Sequence, residues 1–287
     1  MTFLSVLIAL LLERMTPQLI ELRRFDWLRD YSRWLTDVLH IERFGSWMGL
    51  SVLLLPLLVA AWILQSVFNN ALFGLFELAF NILVIFFCLG PRELDHQVDQ
   101  YLDAIDIGDS QQRFNAAAGL TRETPAMDLP SQVPQVCRSI FSEANSRVYA
   151  VLFWFAVFGP LAALLYRLLE QWLTQNFLGQ AIASIRQPVR HLLGWMDWLP
   201  AHITLFAFMV SGSFEDGLQA FRRGNITAID NYEQNNELLQ NVGFQSILSH
   251  DVVNDAQAVD LVRKSRGLVL RGLIVWLIIV LLLGWVV

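Results

Sequence analysis

The sequence predicts an all-α polytopic integral membrane bundle carrying two cytoplasmic helical inserts. Three observations predict it. First, the 287 residues are 55% hydrophobic and only 16% charged, whereas a soluble globular domain has about 45–50% apolar and about 25% charged residues. Second, mean hydropathy is +0.46, and the apolar excess lies in blocks of membrane-crossing length separated by polar segments. Third, the polar segments hold apolar residues at helical spacing: Leu94, Val98, Tyr101, Leu102 and Ile105 recur on one face.

Taken in order, Met1–Leu12 is apolar but short: at 1.5 Å per residue it reaches roughly 20 Å of a ~30 Å hydrocarbon core. It lacks the basic start and cleavage site of a signal peptide. Glu13–Phe44 is amphiphilic and reads as a surface segment with helix. Gly45–Leu64 is a clear span despite Pro56, and Ala71–Leu89 a second, ended by Pro91. These make an N-terminal membrane part, 1–91. Residues 92–147 form a first helical insert with a proline-bearing loop at Thr124–Pro134. Val148–Leu169 reads as one crossing and Leu199–Ser211 as a weaker one, within a central membrane part, 148–211. A second polar region, 212–271, is expected to be helical in Ile226–Leu239. Gly272–Val287 closes the chain as a span.

Basic residues orient these spans. Glu13–Phe44 carries six, Arg92–Arg147 five and Gly212–Arg271 six, against none in Gln65–Asn70 and three in the stretch from Arg167 to Arg190. The rich loops are therefore expected in the cytoplasm of a bacterial inner membrane, with five or six spans and a periplasmic C-terminus. A net charge of −6 gives no electrostatic case for nucleic acid. Cys88 and Cys137 suggest neither a disulfide framework nor a metal site. The lipid bilayer is the partner that composition establishes.

Several residues invite chemistry. Asn145, Arg147 and Tyr149 stand where a polar segment enters the membrane. Asn145 and Tyr149 share a face on a regular helix; all three converge if the segment unwinds. They read as an anion or ligand site at the cytoplasmic mouth, together with Arg92 and Arg122, or as an interfacial anchor. Arg122-Glu123-Thr124 can take a phosphate oxygen or be a solvated loop. No P-loop accompanies it, so no cofactor is assigned and a nucleotide lacks its usual motif. Glu77 and Asn81 lie four apart within a span, as a proton or cation site or an interhelical hydrogen bond. Gly159-Pro160 loosens its helix, framing a mid-membrane site or merely kinking it; Tyr166-Arg167 then falls near the far interface as an anchor. Asp95, His96 and Asp99 do not share one face, so a solvated helix is expected and no metal site.

Asn145-x-Arg147-x-Tyr149, Phe153-Trp154, Gly159-Pro160, Tyr166-Arg167, Asp197-Trp198-Leu199-Pro200 and the opening Ala9–Arg14 together resemble the bacterial AmpE family. One departure is His202, where that family's pattern has Arg. The resemblance implies an inner-membrane accessory or signalling protein linked to cell-wall recycling and β-lactamase induction, with an anionic cell-wall or nucleotide species as ligand. A more distant resemblance is to the CobD/CbiB amide synthases of the cobalamin pathway. Arg92-Glu93-Leu94, Tyr101-Leu102, Gly108-Asp109 and Arg122-Glu123-Thr124 carry it. That family's Glu-Asn-Thr-x-Asp motif falls on Ser142, Glu143, Ala144 and Ser146, so most of its carboxylates are missing. The accessory protein is therefore the main expectation, a membrane-bound amide-forming synthase the alternative, and a small-solute transporter using Glu77 the third. The architecture is compatible with a homodimer.

Overall fold

A computed structural model describes residues 2–15, 25–40, 45–69, 75–175, 183–224, 231–247 and 255–286. Every regular element among them is helical. α1 (Thr2–Met15), α3 (Ser46–Asn69) and α4 (Leu75–Cys88) fall in the segment expected as the N-terminal membrane part, and α2 (Asp26–Leu39) lies between α1 and α3 in the chain. The first insert holds α5 (Pro91–Ile107), α6 (Ser110–Leu120) and α7 (Leu129–Ala144). A π turn (Asn145–Tyr149) leads to α8 (Ala150–Phe158) and α9 (Pro160–Thr174). Then follow α10 (Ala183–Ser211), α11 (Phe214–Arg223), α12 (Tyr232–Gln245) and α13 (Asp255–Val286).

The short insert helices are fixed by local chemistry. Pro91 opens α5, where its missing N–H costs nothing, and Gly108 closes it with φ 76°. The Asp109 carboxylate accepts the Gln111 and Gln112 N–H groups to start α6, and Asp128 accepts that of Ser131 to start α7.

Three helices among the described residues are long and apolar enough to cross a membrane, within Ser46–Val67, Ser184–Ser211 and Ala256–Leu282. The weak Leu199–Ser211 segment is the second half of one 29-residue helix that runs through Pro188 and Pro200. A proline inside a helix strands the carbonyl four residues back. For Pro200 this is Met196, whose oxygen takes the Trp154 indole N–H at 3.0 Å. α13 likewise starts at Asp255, well before the expected Gly272. Ile226–Leu239 is helical from Tyr232 onward; residues 225–230 lie outside the described residues.

The expected single crossing at Val148–Leu169 is corrected. Gly159 adopts φ 79°, ψ −167°, a conformation essentially confined to glycine, and the chain folds back. The Asn145 amide and the Tyr166 hydroxyl both donate to one oxygen of Asp197, at 2.8 and 2.9 Å. In a single straight helix residues 21 apart would stand about 31 Å from each other. α8 and α9 are therefore the arms of a re-entrant hairpin with Gly159-Pro160 at its tip. α8, at 9 residues, reaches only about 13 Å. Tyr166 and Arg167 consequently return to the level of Asn145 and Arg147, not to a far interface.

Candidate functional site

The π turn replaces the regular i, i+4 geometry and sends its side chains to four different elements. Asn145 reaches α10: its amide donates to Asp197, and its oxygen accepts the Thr204 hydroxyl at 2.9 Å. Arg147 reaches back to α7 and across to α5, donating to Glu143 at 2.7 Å and to the Gln97 oxygen at 3.0 Å, with Glu93 at 3.8 Å. Tyr149 reaches α13, where its hydroxyl donates to the Val269 carbonyl at 2.6 Å and its ring stacks on Trp276. The Arg147 carbonyl accepts the Gly90 N–H at 3.1 Å, which ties the start of α5 to the turn. Such bulges concentrate at functional sites.

Arg122, in the loop after α6, meets the same carboxylate. Its Nε donates to one Glu143 oxygen at 2.8 Å, while Arg147 holds the other. Its Nη1 donates to the Tyr232 hydroxyl of α12 at 2.8 Å. Glu143 thus bridges two guanidiniums. Burial alone would raise its carboxyl, but Arg122 and Arg147 outweigh burial and bring it from 4.5 down to about 2. Both arginines are shifted upward in turn: burial disfavours their charge, and Glu143 overcompensates.

A second ion pair adjoins the first. Arg167 donates to Glu170 at 2.8 Å, and Gln171 adds a bond to the same oxygen at 3.1 Å. A Cβ placed on Gly90 would sit 3.6 Å from both Arg147 Cβ and Arg167 Nη2, so this glycine separates the two guanidinium-bearing side chains. Asp197, fully buried, completes the set. One oxygen holds Asn145 and Tyr166, and the other has no hydrogen-bond partner among the described residues. Three guanidiniums and four carboxyls, Glu93 being the most exposed of them, therefore meet where the insert, the re-entrant hairpin, α10 and α12 converge.

Of the residues expected from sequence, Arg122, Asn145 and Arg147 join this network. Tyr149 faces α13 instead, and the side chain of Arg92 lies outside the described residues. Glu77 is half-buried and Asn81 buried, both on α4. They sit 9 to 13 residues before Gly90, about 14 to 20 Å along a helix, and the structure does not bring them to the network. Asp95 and Asp99 both pair with Arg266 of α13, at 3.0 and 2.7 Å. No cluster of three or more His, Cys, Asp or Glu side chains able to hold a metal occurs among the described residues. Sequence reasoning placed none of Glu143, Tyr166, Arg167, Glu170, Asp197 and Tyr232 in this site, and read Tyr166-Arg167 as an anchor at the far interface. One signal was available: ionisable residues inside apolar segments face protein partners, which covers Arg167, Glu170 and Asp197.

What fold and network define together is an all-α membrane-type bundle with a charge-rich internal site between its polar insert and its hairpin. The family model for the CobD/CbiB protein matches residues 6–171, more than half of the chain, and the chain belongs to that family. It is 26% identical over 183 residues to the cobalamin biosynthesis protein CobD of Chromobacterium violaceum, covering 61% of this chain and 54% of that one. It is 27% identical over 179 residues to the protein of the same name from Stutzerimonas stutzeri, covering 58% and 54%. The chain thus matches about half the length of these curated relatives. No solved structure matches it significantly. The AmpE-type accessory and signalling expectation is overturned by these findings. The more distant of the two resemblances is the one the family match supports.

Proposed function

We propose that this chain acts in cobalamin biosynthesis as a membrane-bound, amide-forming synthase of the CobD/CbiB type. Its setting would be a bacterial inner membrane, with the α5–α7 insert on the cytoplasmic side. The observation that carries the reading is the family match itself. It runs from residue 6 to residue 171 and so encloses Arg122, Glu143, Arg147, Arg167 and Glu170.

Joining a carboxyl to an amine means expelling a carboxyl oxygen, as phosphate once a nucleoside triphosphate has phosphorylated it, and the negative charge of that acyl phosphate must be held while the amine attacks. Guanidiniums suit that task because they present planar paired donors to oxyanions. Arg122 and Arg147 are the residues we assign to it. Arg122 is the more open, with a side chain 31% exposed against 13% for Arg147, and its Nη2 makes only a 3.5 Å contact to Ser146. An incoming anion would meet this edge first and share the pair with Glu143. The donors do not fit a resident divalent metal, because Glu143 is engaged by two guanidiniums and Glu170 by Arg167 and Gln171. No step is routed through one.

Expression in a strain lacking its amide synthase tests the reading. Corrinoid-dependent growth should return with the intact chain and fail with Arg147→Ala at equal membrane abundance. No growth from the intact chain at normal abundance would end the proposal.

A further inference from the structure

Helix α2 has three faces rather than two. Leu28, Ser32, Leu35 and Thr36 are buried. Arg29, Asp30, Arg33 and Asp37 form a charged band on the far side. Between them runs a stripe the bundle leaves uncovered: Trp27 is 41% exposed, Trp34 59% and Val38 53%. At 100° per residue these three fall within about 40° of one another. A water-facing helix has no reason to align two tryptophans and a valine there, and a core helix would bury them. α2 is tied to α3 through the Tyr31 hydroxyl, which donates to the carbonyl of the buried Leu53 at 3.1 Å. The face of α3 turned away from Leu53 is open and apolar, through Met48, Leu55 and Val59.

We propose that α2 lies in the plane of the membrane with Trp27, Trp34 and Val38 seated in the headgroup and upper acyl zone of the bilayer. Tryptophan favours that zone, and an in-plane helix pairs an apolar stripe with a charged one. The occupant of the stripe is therefore lipid. The charged band, with two arginines against Asp30 and Asp37, carries no excess of positive charge, so the seat depends on apolar contact and not on anionic lipid. α2 also straps the hairpin arm that bears the second ion pair: Ser32 accepts the Trp172 indole N–H at 3.0 Å, and the Phe25 ring, just before α2, lies under the Arg167 guanidinium at 5.5 Å. The membrane surface thereby braces the polar segment Arg167–Gln171. This inference is independent of the reaction assigned above.

Nitroxide labels on single cysteines test it in the full chain reconstituted in zwitterionic nanodiscs. The native Cys88 and Cys137 are buried and stay unlabelled under native conditions. Labels at Trp27→Cys, Trp34→Cys and Val38→Cys should collide several-fold more with oxygen than with a water-soluble nickel chelate; labels at Arg33→Cys and Asp37→Cys should show the reverse. Equal nickel access at all five positions overturns the proposal. So does spin–spin broadening at the first three, which would place a second copy of the chain on the stripe. Because each label reports locally, one poorly folding variant leaves the other positions to decide.

Discussion

α3 and α10 both have the length and hydropathy to cross a membrane, yet they are built on opposite terms. Only 22% of the most apolar stretch of α3 is buried inside the molecule, against 61% for α10. α3 is apolar on every side, and lipid can solvate whatever the bundle does not touch. α10 carries Arg186, Arg190, His191, Asp197, His202 and Thr204, and two prolines besides. Protein must supply its solvent group by group. Asp197 receives Asn145 and Tyr166; Thr204 donates to Asn145 and accepts the Trp276 indole; the carbonyl stranded by Pro200 receives Trp154. A membrane-length helix can thus be a wall or a scaffold, and hydropathy alone does not tell which. The scaffold is where the network forms.

The sharpest way to test this contrast is to remove one charge from the network. Glu143→Ala leaves Arg122 and Arg147 buried without their shared counter-charge and should cost about 3–5 kcal/mol, read as a large fall in the thermal midpoint in detergent. The same carboxylate predicts an acid response. Its folded value lies below its unfolded one, so its contribution is fully present above 4.5 and is lost as pH falls towards 2. Stability measured across that window should drop in the intact chain, and the drop should shrink in Glu143→Gln. If both chains respond alike, the carboxylate is not clamped as described.

Asp197→Ala comes next. It strands the Asn145 amide and the Tyr166 hydroxyl, at about 1–3 kcal/mol for each buried donor left unmet. Gly159→Ala should cost about 1–3 kcal/mol through backbone strain, and unfolding measured against the parent would show it. At the bottom of the scale, Leu55→Ala on the open face of α3 should change stability by under about 0.5 kcal/mol. A Leu55 effect matching that of Asp197 would erase the distinction between wall and scaffold.

How much of this could be read from sequence follows the same division. α3 was legible because lipid asks only for an apolar run. α10 was half-legible: Asp197 and the prolines broke its hydropathy, since their partners lie some 30 to 50 residues away in the chain. The hairpin was not legible. Gly159-Pro160 in an apolar run announces a break but not its direction, and direction depends on a φ of +79° that composition does not encode. At the site, Arg122, Asn145 and Arg147 stood out as polar residues near the membrane entrance. Glu143 did not, because a single glutamate in an insert gives no sign that two arginines 21 residues before it and 4 after it close on the same carboxylate. Tyr149 stood out for a role it does not share with Asn145, because a π turn separates what an α-helix would align.

That turn sets the phase at which the hairpin leaves the insert. It accommodates one surplus residue between the insert and the hairpin. Deleting one residue of the regular helix that follows it, such as Val151 of α8, would swing the rest of α8 by about 100° about its axis. Trp154 would leave Met196, the fold-back would aim elsewhere, and Tyr166 would miss Asp197. Alignment within this bundle is thus held like the phase of a screw thread, and a length change here is a far greater injury than a substitution at the same place.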